Sequence, residues 1–161
     1  VALIAARADE PASALATLAA AIDLLDAWTP DRGPLDDALR LALTRARERP
    51  SAWPLDDATR RRWRDGVLAA IPPPHRPRGL DRVATPPPPR VLGRFLAAHA
   101  FANWTAHQGN GLRAWLRSLE VAYALASDYG VRQADLLIRH LADPAVLAVK
   151  YSRSREVRMQ S

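Results

Sequence analysis

The residues best equipped for chemistry are His99, Asn103 and His107, three polar side chains at successive i, i+4 positions in a mostly apolar stretch. On a helix that spacing sets them on roughly one face, each about 5.4 Å above the last. Imidazoles sharing a face are a familiar metal-donor arrangement, with Asn103 or an acid such as Asp128 to complete the set. The spacing argues against a metal. Zinc-binding helical pairs sit one turn apart, as in His-Glu-x-x-His, whereas His99 and His107 are separated by roughly 12 Å at about 1.5 Å per residue. Hydrogen-bonded polar residues at a helix interface or bundle mouth are the plainer expectation. Trp104, beside Asn103 and ahead of the Gly109-Asn110-Gly111 turn, is the tryptophan placed for a pocket rim; Trp28, Trp53, Trp63 and Trp115 read as core anchors. His140, near a helix end, complements the helix dipole, and His75 falls in a proline-rich stretch where water surrounds it.

Other constellations are weaker. No Ser–His–acid order, phosphate-cradling glycine loop or dinucleotide fingerprint is present. The pairs Asp36/Asp37 and Asp56/Asp57 are adjacent in sequence, about 100° apart around a helix, and so do not share a proton. Arg60-Arg61-Arg62-Trp63-Arg64 is a basic run with an aromatic inside it, the kind of segment that stacks on a base and neutralises phosphates. The competing reading is a solvated face: Asp56 precedes Arg60 by four residues and Asp57 precedes Arg61 by four, the favourable order for helical ion pairs. Trp63 and Val67 then form the buried side.

These residues belong to a chain of 161 residues with no cysteine, which excludes disulfides, thiolate metal ligands, an iron–sulfur cluster held by this chain and cysteine nucleophiles. No cofactor is expected in it. The net charge of +6 invites a nucleic-acid reading, so its distribution matters. Residues 1–71 carry −1, 72–90 carry +3, 91–149 carry +1 and 150–161 carry +3. The expected folded parts are nearly neutral, a poor footprint for specific groove binding, which leaves only non-specific association through the spacer and tail. Arg or Asp interrupts every apolar run before it reaches the ~18 residues a spanning helix needs, so a soluble, cytoplasmic protein without membrane contact is expected. The first residue is Val1, and a missing amino-terminal portion is part of the expectation.

Ala, Leu and Arg dominate every segment between prolines, and period-two runs of β-branched residues are absent, which predicts an all-α bundle of about six helices. Asp9 is placed to cap a first helix through Glu10 and Pro11, with Leu15, Leu18, Ile22 and Leu25 as its stripe. A second spans 35–48 with Leu35, Leu39, Ala42, Leu43 and Ala46 inward, and a third spans 54–71. Residues 72–90 hold eight of the fourteen prolines and form an extended spacer between helices three and four. Helices over 91–107, 112–128 and 131–142 follow, with Gly130 as a left-handed stop. Leu112, Trp115, Leu116, Leu119, Ala122 and Tyr123 line the middle one; Val131, Ala134, Leu137, Ile138 and Leu141 line the last. The two helical regions, 1–71 and 91–149, are expected to share one core, because three short helices bury little surface alone. The basic tail 150–161 shows no periodicity and is expected to fray unless a partner holds it.

Residues 91–147 resemble the carboxy-terminal helical part of cysteine-cluster proteins related to flagellin lysine-N-methylase. The resemblance lies in Arg94-Phe95-Leu96-Ala97-Ala98-His99-Ala100-Phe101-Ala102-Asn103-Trp104, in Gly111-Leu112-Arg113, and in Arg139-His140-Leu141-Ala142-Asp143. In that family amino-terminal cysteines carry an iron–sulfur cluster and the methyl-transfer chemistry, which this chain lacks. The resemblance therefore implies a non-catalytic substrate- or partner-recognition region. Arg94, His99, Asn103, Trp104, His107 and Arg113 form its polar face, and it faces a protein partner or a missing amino-terminal half of the same protein. The alternative is an all-α ligand-binding or dimerisation module of a regulator, using the same face.

Overall fold

The computed structural model describes residues 2–26, 28–48, 57–73, 76–102 and 111–142. Within them lie seven α-helices and no strand: α1 (Ala2–Ala6), α2 (Pro11–Leu25), α3 (Leu35–Glu48), α4 (Asp57–Ala70), α5 (Pro89–Ala102), α6 (Gly111–Tyr129) and α7 (Val131–Ala142). A 3-10 turn at Pro30–Arg32 separates α2 from α3. The all-α reading holds, and the proline-rich stretch lies between α4 and α5, the expected third and fourth helices. The short α1 has no counterpart in the sequence reading.

Local chemistry accounts for most helix ends and corrects two of them. The residue before α2 is Glu10, which makes no side-chain capping bond, and Asp9 is not the cap; Pro11 opens the helix instead. Helix α5 begins at Pro89, inside the tetraproline run and two residues ahead of the expected start. Proline's fixed φ suits a first helical position, and the amides of Val91 and Leu92 both donate to the Pro88 carbonyl, at 2.9 and 3.1 Å. Helix α4 is described from Asp57 onward, so the expected start at residue 54 lies outside the described residues. Gly130 stops α6 at φ 78°, as expected, with its amide on the Ala126 carbonyl at 3.0 Å.

By their internal contacts the residues fall into two compact units, each drawing on both sides of the proline-rich stretch. Unit 1 comprises Val1–Leu55 and Pro88–Tyr123; unit 2 comprises Asp56–Pro87 and Ala124–Ser161. In unit 1, α2 packs on α1, α3 and α5. The α2–α3 seam is built from Ala20, Ala21, Ala42 and Ala46, flanked by Leu25 and Leu43, so the backbones approach through small side chains. Leu35 and Leu39, expected inward, are instead exposed at 51% and 39%, because the alanine seam lies toward the other end of α3. Leu112, at the start of α6, is likewise exposed. Helix α1 docks on α5 where Gly93 meets the backbone of Ala8, and it buries Ile4 completely. In unit 2, α4 packs on α7, and Val67, Ile71, Leu125, Tyr129, Ala134 and Leu137 are buried. Among the described residues no helix is long and apolar enough to cross a membrane.

Candidate functional site

Asn103, Trp104 and His107, half of the face expected from the sequence, lie outside the described residues. The other three are placed. His99 is half-buried on α5, one turn from Phe95, with the two rings stacked at a centroid distance of 6.1 Å and an angle of 20°. Arg94 is exposed on the same helix and lines a cleft of about 300 Å³ with Arg90, Asp9 and four alanines: Ala5, Ala6, Ala8 and Ala97. Arg113, in the first turn of α6, is held to α2. Its Nε donates to Asp26 Oδ2 at 2.6 Å, and its Nη2 donates to Asp23 Oδ1 at 2.9 Å and also to Asp26 Oδ2. Those hydrogen bonds, Asp26 first and Asp23 second, push its pKa above the ordinary arginine value. Such a fork on two carboxylates fixes the guanidinium in direction, and its exposure keeps the pair screened by solvent.

A second and more highly charged cleft lies within unit 2. Arg60, Arg61 and Arg64 of α4, Arg82 of the proline-rich stretch and Asp128 of α6 surround a space of about 320 Å³. The convergence of three arginines from α4 is a property of helical spacing: Arg64 stands one turn beyond both Arg60, at i−4, and Arg61, at i−3. Arg62 falls off that face and is exposed. Arg82 comes from a segment without helix. Its neighbour Val83 donates its backbone N–H to the Asp128 carbonyl at 2.9 Å, and the Val83 side chain reaches the vicinity of Gly130.

Arg64 is the anchor, and its burial departs from the solvated, salt-bridged face expected for the arginines of this run. Only 7% of the residue is exposed. Its Nε donates to Asp65 Oδ1 at 2.8 Å and its Nη1 to Asp128 Oδ2 at 3.1 Å. The Asp65 bond, ahead of the Asp128 bond and against the cost of burial, raises its pKa, so it stays a cation. A guanidinium so deeply placed needs this pairing, since an isolated buried charge is costly. Asp128 has the complementary problem: a carboxylate in the last turn of α6 faces the negative end of the helix dipole, and Arg64 compensates it. One residue thus does two jobs, its carboxylate orienting Arg64 and its carbonyl holding the segment that carries Arg82. The phenol of nearby Tyr129, buried at 7% exposure, is raised above its ordinary value of 10.0, chiefly by desolvation, with the Arg64 charge acting in the opposite sense.

Four guanidiniums against one carboxylate leave the lining of this cleft with a net charge of +3. Guanidiniums present planar forks of N–H donors that match carboxylate and phosphate oxygens. Donors of this kind suit an anion, and the one carboxylate in the lining, Asp128, is engaged by Arg64. The sequence displayed one part of it, the Arg60/Arg61/Arg64 spacing. It did not display Asp128, 64 residues from Arg64, or the hydrogen bond that places Arg82.

Comparison of the chain with family models, curated proteins and solved structures returns no match.

Proposed function

We propose that this chain is a non-catalytic helical recognition module that engages a protein partner by taking an anionic group of that partner into the cleft of Arg60, Arg61, Arg64 and Arg82. The observation that carries the reading is the cleft's composition, four arginines and a single aspartate around about 320 Å³, with Arg64 buried and held at fixed orientation. A pre-oriented charged donor loses little freedom on binding, which favours affinity. The role agrees with the one implied by the resemblance of residues 91–147 to the helical region of cysteine-cluster, lysine-methylase-like proteins, in which chemistry is carried elsewhere. A cytoplasmic setting belongs to the same proposal. The face of Arg94, His99, Asn103, Trp104 and His107 is a second contact surface within it. Arg113 serves that surface indirectly, by fixing α6 against α2. The test is a thermal melt in sodium sulfate and in sodium chloride at equal ionic strength. Sulfate stabilises proteins generally, so the informative quantity is the extra increment in the wild type over the double variant Arg61→Gln, Arg82→Gln. Equal increments in both proteins refute the cleft as the recognition site.

A second reading, a dimerisation module, is favoured by one feature. Leu35 and Leu39 stand one turn apart on α3 and are 51% and 39% exposed, an apolar pair facing outward. Sedimentation equilibrium at tens of micromolar decides it: a strict monomer removes this reading.

A further inference from the structure

We infer that Thr85 is a site of phosphorylation, and that its phosphate meets Arg82 and so closes the arginine cleft to an anion from outside. The closure rests on the anion-recognition reading above and gives that cleft its regulation; the modification itself stands without it. Among the described residues Thr85 lies in no helix, is exposed, and makes no hydrogen bond that a modifying enzyme would have to break. Most other hydroxyls are engaged or covered. Thr44 donates to the Arg40 carbonyl at 2.9 Å within α3, Ser118 donates to the Trp115 carbonyl at 2.7 Å within α6, and Ser13 accepts from Arg7 at 3.1 Å. Thr17 and Ser127 are buried. Thr29 also precedes a proline, but its carbonyl accepts from the Arg32 N–H at 2.9 Å and closes a turn.

The flanking residues supply recognition. Pro86 steers Thr85 to extended geometry and Pro87 continues it, the form in which a chain lies along an enzyme's groove. Arg82, three residues ahead of Thr85, offers a cation to an acidic subsite. The enzyme that fits is a protein kinase with a carboxylate for that arginine and an apolar seat for the following proline. In the step, Thr85 Oγ1 forms a bond to the γ-phosphorus of ATP. The bond from that phosphorus to the bridging oxygen breaks, ADP takes the electron pair, and the hydroxyl proton passes to a carboxylate of the kinase.

The fold then holds the phosphate beside the cleft. Val83, two residues before Thr85, donates its N–H to the Asp128 carbonyl at 2.9 Å, and Asp128 and Arg82 both line the cleft. Two residues span at most about 7 Å, and the chain bends at Ala84 and Thr85, which shortens the reach. A phosphate on Thr85 brings about −1.5 to −2 of charge and three strong acceptor oxygens. Tethering sets its effective concentration at Arg82 on the order of millimolar, a level that a free anion must exceed to displace it. The segment that forms one wall of the cleft thus carries the group that closes it.

The experiment treats the full chain with ATP and a proline-directed serine/threonine kinase, and maps the product by mass spectrometry after trypsin. One phosphoryl group is expected on the peptide 83–90, lost in Thr85→Ala and kept in Thr29→Ala. No incorporation, incorporation chiefly at Thr29, or incorporation that survives Thr85→Ala overturns the site. A chain with phosphothreonine installed at position 85 during translation is then compared with the unmodified chain by calorimetric titration with sodium sulfate and by phosphorus magnetic resonance. Sulfate is expected to bind about tenfold or more weakly to the phosphorylated chain, the worth of a charge-assisted hydrogen bond. The second ionisation of the phosphate is expected to fall below that of the free phosphopeptide 83–90, because a nearby guanidinium favours the dianion. Arg82→Gln in the phosphorylated chain should return that ionisation to the peptide's value. Sulfate bound equally well by the phosphorylated and unmodified chains overturns the closure and leaves the site standing. An ionisation equal to the free peptide's, or one that Arg82→Gln does not move, overturns the contact with Arg82. An unmodified chain that binds no sulfate overturns the anion cleft, and with it the closure, while the mapping alone then decides the phosphorylation of Thr85.

Discussion

Replacing Gly93 by alanine should destabilise this protein, although alanine is ordinarily the better helix residue by about 1 kcal/mol. A Cβ built on Gly93 collides with the carbonyl oxygen of Ala8 and lies only 2.6 Å from its carbonyl carbon. These are backbone atoms and cannot rotate away, so α1 and the turn after it must lift from α5. Overpacking of this kind costs about 1–3 kcal/mol, and lifting α1 also uncovers Ile4, whose burial is worth about 1.5–3 kcal/mol. Set against the propensity gain of about 1 kcal/mol, the net loss is about 1.5–5 kcal/mol. At about 2–4 °C per kcal/mol for a chain of this size, the melting temperature falls by roughly 3–20 °C. Gly66 is the control: it sits in α4 with nothing within 4 Å of an added Cβ, so Gly66→Ala should raise stability by about 0.5–1 kcal/mol. Circular dichroism melts of both variants read the sign directly, and limited trypsin digestion should show faster cleavage after Arg7 in Gly93→Ala alone. Gly93→Ala melting at or above the wild type refutes the docking of α1 on α5.

Three further outcomes follow from the cleft. Asp128→Asn removes a charged partner of Arg64 while Asp65 remains, so stability should fall by about 1–3 kcal/mol in a urea titration; anion affinity should rise at the same time, because the cleft loses its one carboxylate. A parallel fall in both quantities contradicts the assigned roles. Val83→Pro deletes the N–H that donates to the Asp128 carbonyl, so Arg82 is no longer held, and sulfate or phosphate affinity should drop without loss of helix by circular dichroism. Tyr129 is raised above 10.0 by burial, so the folded state keeps its proton where the unfolded state releases it. Its contribution to stability is then complete below pH ~10 and is lost as pH rises through the folded value. Ultraviolet titration should show one phenol ionising late, and Tyr129→Phe should abolish that late step.

The fold was legible wherever local patterning decides it. Helix α7 carries Ala134 and Leu137 in its core, on the stripe expected from spacing, and Gly130 ends α6 in the left-handed conformation that only glycine adopts readily. Helix α1 was not legible, since five residues show no period and the docking depends on the absent side chain at Gly93. Leu35 and Leu39 misled because a stripe of leucines looks inward by default, whereas α2 and α3 meet through alanines. The arginine cleft was half legible. Helical spacing brings Arg60, Arg61 and Arg64 together, but Arg64 reads as solvated until Asp128 is seen to meet it. The proline-rich stretch read as a plain connector because a single backbone hydrogen bond, from Val83 to Asp128, leaves no mark in side-chain pattern.

The most direct test of an anion-recognition cleft is a nuclear magnetic resonance titration that follows the Nε–H signals of individual arginines as phenyl phosphate is added near pH 7.5. The cleft predicts saturable shifts confined to Arg60, Arg61, Arg64 and Arg82, with Arg40 and Arg139, exposed arginines paired to carboxylates on their own helices, unmoved. Shifts of similar size at all exposed arginines, or no saturable shift at the four cleft residues, contradict it.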